Sequence, residues 1–525
     1  MTDPLTAAPR PASWHGRSLE WRASVAFAAA ACAWLSSPLG AAEPLKREMS
    51  VAGRILSVHS LDLDGDGLKD LLAFSVTGRD ESAKRVGSIF LQGPSRSFRA
   101  RPDLLWELDR SVIAVDPFPG EAARGDQAPL YSLSAEGVVR HSLGRERKSL
   151  SATRVVSADL QHLLPRWDVV LALDFARPWS GGSTEFLIPA IPWPRLYRPG
   201  AGDSADMVPL RLPPVSEYRW SRLGDSGEAL RISYDFTPCA SADQDGDGTG
   251  ELVCFGDDTA TVQELSRHPS QGAGSGAGAP PEAPPARSYP LNILSDEEAA
   301  SQRVFRSGLT VSLSGNARTD LVVRVISANR GILDMDGRLL VFRGRPDGSF
   351  PRRPDQDLRI EDAIYQLAEV RDLDADGTTD LIVPTMDLGL FSFLRVLVTR
   401  RVSFSLESFT LGPGGAIDTG RKWKDPMTVR LSDDYDPPVV EYADVNGDKV
   451  SDLIVGTGAQ EVCVYEGRRA AVSRRFSPTP RTCLRADPYA GSQIADVDGD
   501  GRDDLIIYPS SEKDGNKITV FFMPG

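Results

Sequence analysis

Five stretches of the sequence carry acidic or amide side chains at every second position. They are Asp62, Asp64, Asp66 and Asp70; Asp243, Asp245, Asp247 and Glu251; Asp372, Asp374, Asp376 and Asp380; Asp444, Asn446, Asp448 and Asp452; and Asp496, Asp498, Asp500 and Asp504. In such a nine-residue loop, positions 1, 3, 5 and 9 aim at one centre. The carbonyl at position 7 adds an oxygen, here from Leu68, Thr249, Thr378, Val450 or Arg502. All-oxygen, carboxylate-rich coordination suits Ca2+, which takes roughly six to eight ligands in flexible geometry. Glycine at position 6 (Gly67, Gly248, Gly377, Gly501) permits the sharp turn, whereas the loop at 444 has Lys449 there. The plainer alternative is an Asp-rich turn held by side-chain-to-backbone hydrogen bonds. Four full acid sets with glycine favour the metal, and about four or five structural Ca2+ ions are expected.

Those loops recur at a near-constant interval, which points to the elements that hold them. Closing acids at 185, 251, 320, 380, 452 and 504 are separated by 66, 69, 60, 72 and 52 residues. The gap from 70 to 185 is 115, about twice that period, so a hidden copy should end near Ala128–Tyr131. Decayed copies lie at Ser312–Asp320 and at Asp174–Glu185. Each loop is followed by an apolar run such as Leu71–Phe74, Leu252–Phe255 or Leu505–Ile507, the pattern of a buried strand. Leu56–Leu61 and Leu71–Val76 form a hairpin around the first loop, and Arg338–Phe342, Glu461–Tyr465 and Lys517–Phe522 supply third strands.

A unit of about 60 residues cannot bury both its faces alone, so the units must pack against one another. The expectation is an all-β fold: a β-propeller of about eight four-stranded antiparallel blades, with seven as the alternative. Arg47–Val51 would complete the last blade and close the ring. The propeller would span 43–525, with a flexible Gly/Ala/Pro-rich loop at 269–287.

The first residues read differently. Arg17 and Arg22 precede an apolar run from Ala23 to Leu35, and Gly40-Ala41-Ala42 offers small residues for cleavage. That is the layout of a signal peptide occupying 1–42, and it implies a periplasmic, cell-surface or extracellular protein. Lipid attachment at Cys32 and an uncleaved anchor stay open. Beyond this leader no apolar stretch is long enough to span a bilayer. In an oxidising compartment the four remaining cysteines are consistent with two hairpin bridges, Cys239–Cys254 and Cys463–Cys483, with four free thiols as the alternative.

The acidic loops and their trailing strands resemble the calcium-binding loops of FG-GAP/VCBS-type repeats, the family that includes the integrin alpha-subunit propeller. The resemblance covers most of residues 47–525. Literal Phe-Gly and Gly-Ala-Pro signatures are missing, Gly456–Gln460 being the nearest approach, so the bacterial VCBS-like branch is the better match. It implies that the loop residues named above are structural metal ligands bracing each blade.

The sequence contains no G-x-S-x-G, H-E-x-x-H or phosphate-loop motif, and His59, His141, His162 and His268 lack metal-ligand spacing. His59 reads as a strand residue. Trp167, Trp179, Trp193 and Trp220 crowd the sector where the repeats are most decayed. They suit either inter-blade packing or a surface for stacking sugars or docking proteins. The favoured function is therefore a binding or scaffold module, in monomeric form, for a protein or carbohydrate ligand. A polysaccharide-active enzyme, lyase or hydrolase, is the competitor, and a wholly apolar central funnel would eliminate its lyase form. A formal charge of -14 argues against nucleic acid as partner. Without residues 1–42 the charge is -15, and five Ca2+ would bring +10, leaving about -5.

Overall fold

In the computed structural model the described residues are 43–524, apart from 79–81, 118–126, 161–162, 164–168, 181–182, 191–193, 201–204, 212–215, 223–227, 235–238, 257, 266–285, 301–303, 314–317, 328–335, 362–368, 387–389, 433–437, 459, 470–472 and 510–514. The leader with Cys32, most of the 269–287 loop, His162, His268, Trp167 and Trp193 lie outside them.

Eight four-stranded blade sheets follow one another along the described chain. Blade one comprises Arg54–Leu61, Asp70–Thr77, Lys84–Phe90 and Leu104–Glu107. Blade two has Val112–Asp116, Leu130–Ser134, Gly137–Leu143 and Leu150–Ser157, and blade three has Ala176–Arg177, Glu185–Ile188, Arg195–Pro199 and Ala205–Pro209. Blade four has Cys239–Ala242, Glu251–Gly256, Thr259–Glu264 and Ala286–Pro290, and blade five has Val304–Val311, Asp320–Ser327, Asp336–Phe342 and Gln356–Glu361. Blade six has Glu369–Arg371, Asp380–Thr385, Arg401–Gly412 and Ala416–Arg430, and blade seven has Val440–Ala443, Asp452–Gly458, Glu461–Tyr465 and Thr482–Arg485. Blade eight is built from both ends of the chain: Gly491–Ala495, Asp504–Tyr508, Lys517–Phe522 and, outermost, Leu45–Ser50.

That closing pair runs antiparallel from Leu45 opposite Phe522 to Ser50 opposite Lys517. The closing strand therefore lies where the sequence suggests, shifted by one or two residues. The hidden copy emerges as the strand Leu130–Ser134 of blade two.

The core is a ring of eight apolar clusters, one between each pair of neighbouring blades. At the seam, Met49, Ile55, Leu71 and Phe90 meet Val497, Ile506, Ile518 and Phe522. Because every blade is sandwiched, its second strand is buried on both faces, and Leu71–Phe74 or Leu453–Val455 reads as an unbroken apolar run rather than an alternation. Each fully buried large side chain contributes roughly 1.5–3 kcal/mol, so ring closure is supported by several such residues at every seam.

Among the described residues, four additions depart from the simple repeat, one of them the short helix Asp296–Ala300 between blades four and five. Blade two gains a short parallel strand at Leu171–Ala172 beside its first strand. A separate hairpin, Ser216–Arg222 with Glu228–Tyr234, sits between blades three and four in sequence. Blade six carries a helix, Leu390–Thr399, before its long outer hairpin. Among the described residues no helix is long and apolar enough to cross a membrane.

Candidate metal centres

Each acidic loop joins the first strand of a blade to the second, so all five lie on the same face of the ring. The loops of blades one, four, six, seven and eight share one backbone geometry. The position-6 amide donates to the position-1 carboxylate in all five: Gly67 to Asp62 at 2.9 Å, Gly248 to Asp243 at 3.1 Å, Gly377 to Asp372 at 3.0 Å, Lys449 to Asp444 at 2.9 Å and Gly501 to Asp496 at 2.9 Å. The position-7 amides of Leu68, Thr249, Thr378, Val450 and Arg502 donate to Asp66, Asp247, Asp376, Asp448 and Asp500. These bonds fold the loop inward and leave the remaining carboxylate oxygens facing one another.

Position 6 is left-handed throughout, with φ of 88° at Gly67 and 73° at Lys449. Position 4 is left-handed as well, at Gly65, Gly246, Gly447 and Gly499, and at Ala375 with φ of 56°. The second turn was visible in the sequence as the recurring Gly between positions 3 and 5.

Carboxylates from positions 1, 3 and 5 come within 4.8 Å of one another in blades one (Asp62, Asp64, Asp66) and eight (Asp496, Asp498, Asp500). In blades four and six the converging set is instead positions 1, 3 and 9: Asp243, Asp245 and Glu251, and Asp372, Asp374 and Asp380. In blade seven, Asn446 replaces one acid; the Lys449 ammonium points out of the loop to the Gly501 carbonyl at 3.5 Å.

The closing acid is a brace in its own right. Asp70 accepts from the amides of Leu63 at 2.9 Å and Gln92 at 2.8 Å, and Asp504 from Val497 at 3.1 Å and Met523 at 2.9 Å. Asp320 does the same for Leu313 and Gly344 in blade five, although that loop has lost its other acids. Burial pushes Asp70, Glu251, Asp452 and Asp504 up to about 7, with neighbouring loop acids adding to the shift. Such sites concentrate negative charge that water reaches poorly.

A calcium ion fits this donor set. Three carboxylates converge within 4.8 Å in four of the loops, and the buried Asp64 Oδ2 and Asp498 Oδ2 each face a guanidinium, of Arg147 and Arg96, so these oxygens lie where a cation is favoured. Partly exposed arginines approach three of the loops: Arg147 reaches Asp64 at 3.0 Å, Arg96 reaches Asp500 at 2.6 Å, and Arg287 lies 3.8 Å from Asp245. In blade six the cation is buried. Arg475, from the third-to-fourth-strand loop of blade seven, pairs with Asp374 and with Asp380 at 2.9 Å. In blade three, Arg198 similarly meets the closing acid Glu185 at 2.6 Å.

Both expected disulfides are formed, Cys239–Cys254 within blade four and Cys463–Cys483 within blade seven, each joining residues directly opposite on adjacent strands. Trp179 packs between blades three and four. The side chain of Trp220 is outside the described set. His59 lies in the first strand of blade one and His141 in the third strand of blade two. Burial pushes both imidazoles down to about 4, so they are neutral near pH 7. Their Nε2 atoms meet Ser57 and Ser132 hydroxyls at 3.0 and 2.8 Å.

The first strands approach one another around the axis, and they are not wholly apolar. Those of blades six to eight carry Glu369, Arg371, Glu441 and Ser492. Arg371 donates to the Tyr442 carbonyl at 2.6 Å, and Ser492 to Glu441 at 2.7 Å. The apolar funnel that would eliminate a lyase is therefore not what these blades present.

One part of this ring also answers to a known sequence pattern. Residues 444–507 match the FG-GAP-like repeat. The match runs from the first acid of the blade-seven loop to the second strand of blade eight, so the sequence repeat is offset from the structural blade. Together with the eight-bladed ring it supports an FG-GAP propeller. No curated protein matches the sequence. Among solved structures, the chain is similar to an Agrocybe aegerita lectin that recognises non-reducing terminal N-acetylglucosamine, with 14% identity, TM-score 0.38, and coverage of 71% of this chain and 80% of that one. It is also similar to BBS1N in complex with ARL6DN (12%, TM-score 0.34, coverage 91% and 96%) and to the V. cholerae biofilm matrix protein Bap1 (10%, TM-score 0.24, coverage 90% and 88%).

Proposed function

We propose that this chain is an exported, calcium-braced propeller whose ring serves as a binding or scaffold surface for a protein or glycan partner. The observation that carries the metal reading is the set of carboxylates converging within 4.8 Å of one another in the loops of blades one, four, six and eight, on one face of the ring. A bound Ca2+ would neutralise the loop acids and tie the hairpin between a blade's first two strands. The chain's own part is to hold that loop in register, through the closing acid and the inward amide bonds. Two disulfides fit an oxidising compartment, which supports the exported reading. Metal in these loops would be architectural, and the binding role follows from a rigid ring whose connecting loops are free to vary.

Thermal unfolding with and without EDTA tests the metal. Each occupied site contributes about 2.7 kcal/mol at a hundredfold excess of free ion over Kd, so chelation should lower Tm by many degrees. An unchanged Tm would dismiss calcium. A glycan array together with pull-down from envelope extracts tests the binding role, and turnover of an arrayed polysaccharide would favour the enzyme reading.

A further inference from the structure

The five acidic loops are alike in sequence, but only that of blade six, among the described residues, holds a fully buried guanidinium supplied by the chain. Arg475 is 2% exposed. One terminal nitrogen of its guanidinium pairs with Asp374 Oδ2, and the other donates to Asp380 Oδ1 at 2.9 Å and Thr410 Oγ1 at 3.0 Å. The flat face of the group lies over the Trp423 ring, 3.8 Å from its centroid. The main chain is fixed too: Asp425 accepts from the amides of Arg475 at 3.1 Å and Phe476 at 3.2 Å. Cys463–Cys483 closes the segment that carries Arg475, limiting how far it can withdraw.

We infer that the Arg475 guanidinium is the resident cation of the blade-six loop, and that this loop stays free of calcium at concentrations that fill the others. The inference rests on the calcium reading of those other loops. Arg475 engages two of the carboxylates, Asp374 and Asp380, that would otherwise face the ion. With those two engaged, the loop keeps Asp372, Asp376 and the Thr378 carbonyl, a smaller set than the other loops offer to a cation that takes roughly six to eight oxygens. A second cation beside a buried guanidinium would also meet like charge at short range in a poorly screened site. The arginines at the other loops differ in kind. Arg147, Arg96, Arg287 and Arg502 have side chains 48%, 33%, 44% and 22% exposed, so they can swing into solvent when an ion arrives.

Ion counting on the whole mature chain, by mass spectrometry after dialysis from calcium buffer, tests this. Wild type should hold one ion per loop of blades one, four, seven and eight, and Arg475→Met should hold one more. With terbium as the probe, Arg475→Met should gain tryptophan-sensitised emission that Trp423→Phe in the same background removes. If Arg475→Met does not fold, two milder variants decide: Asp374→Asn should leave the count unchanged, while Asp498→Asn loses one ion. An ion lost on Asp374→Asn, or no gain in a folded Arg475→Met, overturns the inference. A wild type with no ion overturns the calcium reading of the other loops. Arg475→Met then decides the arginine alone: a gained ion supports it and none overturns it.

Discussion

In blade eight, Arg96 reaches Asp498 and Asp500 from a side chain one-third exposed; in blade six, Arg475 reaches Asp374 and Asp380 from one that is 3% exposed. The two loops share acid spacing, turn geometry and a closing acid at the start of the second strand. They differ in what the neighbouring blade delivers. Arg96 comes from a loop that leaves its side chain one-third exposed, whereas Arg475 comes from one held between a disulfide and Asp425. Burial pushes both closing acids up, Asp504 and Asp380 alike, and at Asp380 the Arg475 guanidinium works against that rise by favouring the charged form. The same nine-residue pattern can therefore be satisfied by a free ion or by a side chain distant in sequence.

Proton competition offers the largest handle on this comparison, since several buried carboxylates act together. An unfolded carboxyl releases its proton near pH 4, but Asp70, Glu251, Asp452 and Asp504 hold theirs to about 7 in the folded chain. Between those values the folded state binds more protons, so in EDTA stability should fall as pH rises from 4 to 7. Saturating calcium binds only the deprotonated loops and should flatten or reverse that slope. Melting curves across pH in both buffers check it; identical slopes would break the link between loop acids and ion.

Next in size are the two arginines themselves. In EDTA, Arg475→Ala leaves Asp374 and Asp380 buried without their cation and should cost about 3–5 kcal/mol in urea unfolding. Arg96→Ala removes a partly solvated pair and should cost below about 1 kcal/mol. Equal losses would erase the distinction between the blades. Replacing Cys463 and Cys483 by serine should cost about 3 kcal/mol from the loop they close and loosen the seat of Arg475. Thiol labelling of the oxidised wild type should find no free cysteine.

The smallest effects separate the turns from the ion. Gly67 has φ of 88° and open space where a methyl group would stand, so Gly67→Ala reports conformational strain alone, about 1 kcal/mol. Lys449→Gly and Ala375→Gly relieve the same strain and should gain up to about 1 kcal/mol, read as urea midpoints in EDTA.

Much of this was legible in the chain because the repeat is local. The spacing of closing acids pointed to about eight blades, the run Leu505–Ile507 marked a strand buried on both faces, and Cys239 and Cys254 flanked one hairpin. The strand at Leu130 was found by period alone, without any acid at its start. Other features depended on pairs of loops meeting across blades. Arg475 lies 95 residues from Asp380, in a connection whose length follows no period. The helix before the outer hairpin of blade six is an insertion, and it shows in the sequence only as the longest single interval, 72 residues from Asp380 to Asp452. Position 9 read as a ligand; its first task is to bind amides such as Gln92 and Met523, a role that depends on the third strand's register.

Anomalous diffraction from crystals grown in calcium, or in terbium as its stand-in, addresses the central claim most directly. Peaks should appear among Asp62–Asp66, Asp243–Glu251, Asp444–Asp452 and Asp496–Asp500, with Arg475 and no peak between Asp374 and Asp380. A ring without peaks, or a peak at Asp374 with Arg475 displaced, would contradict the account.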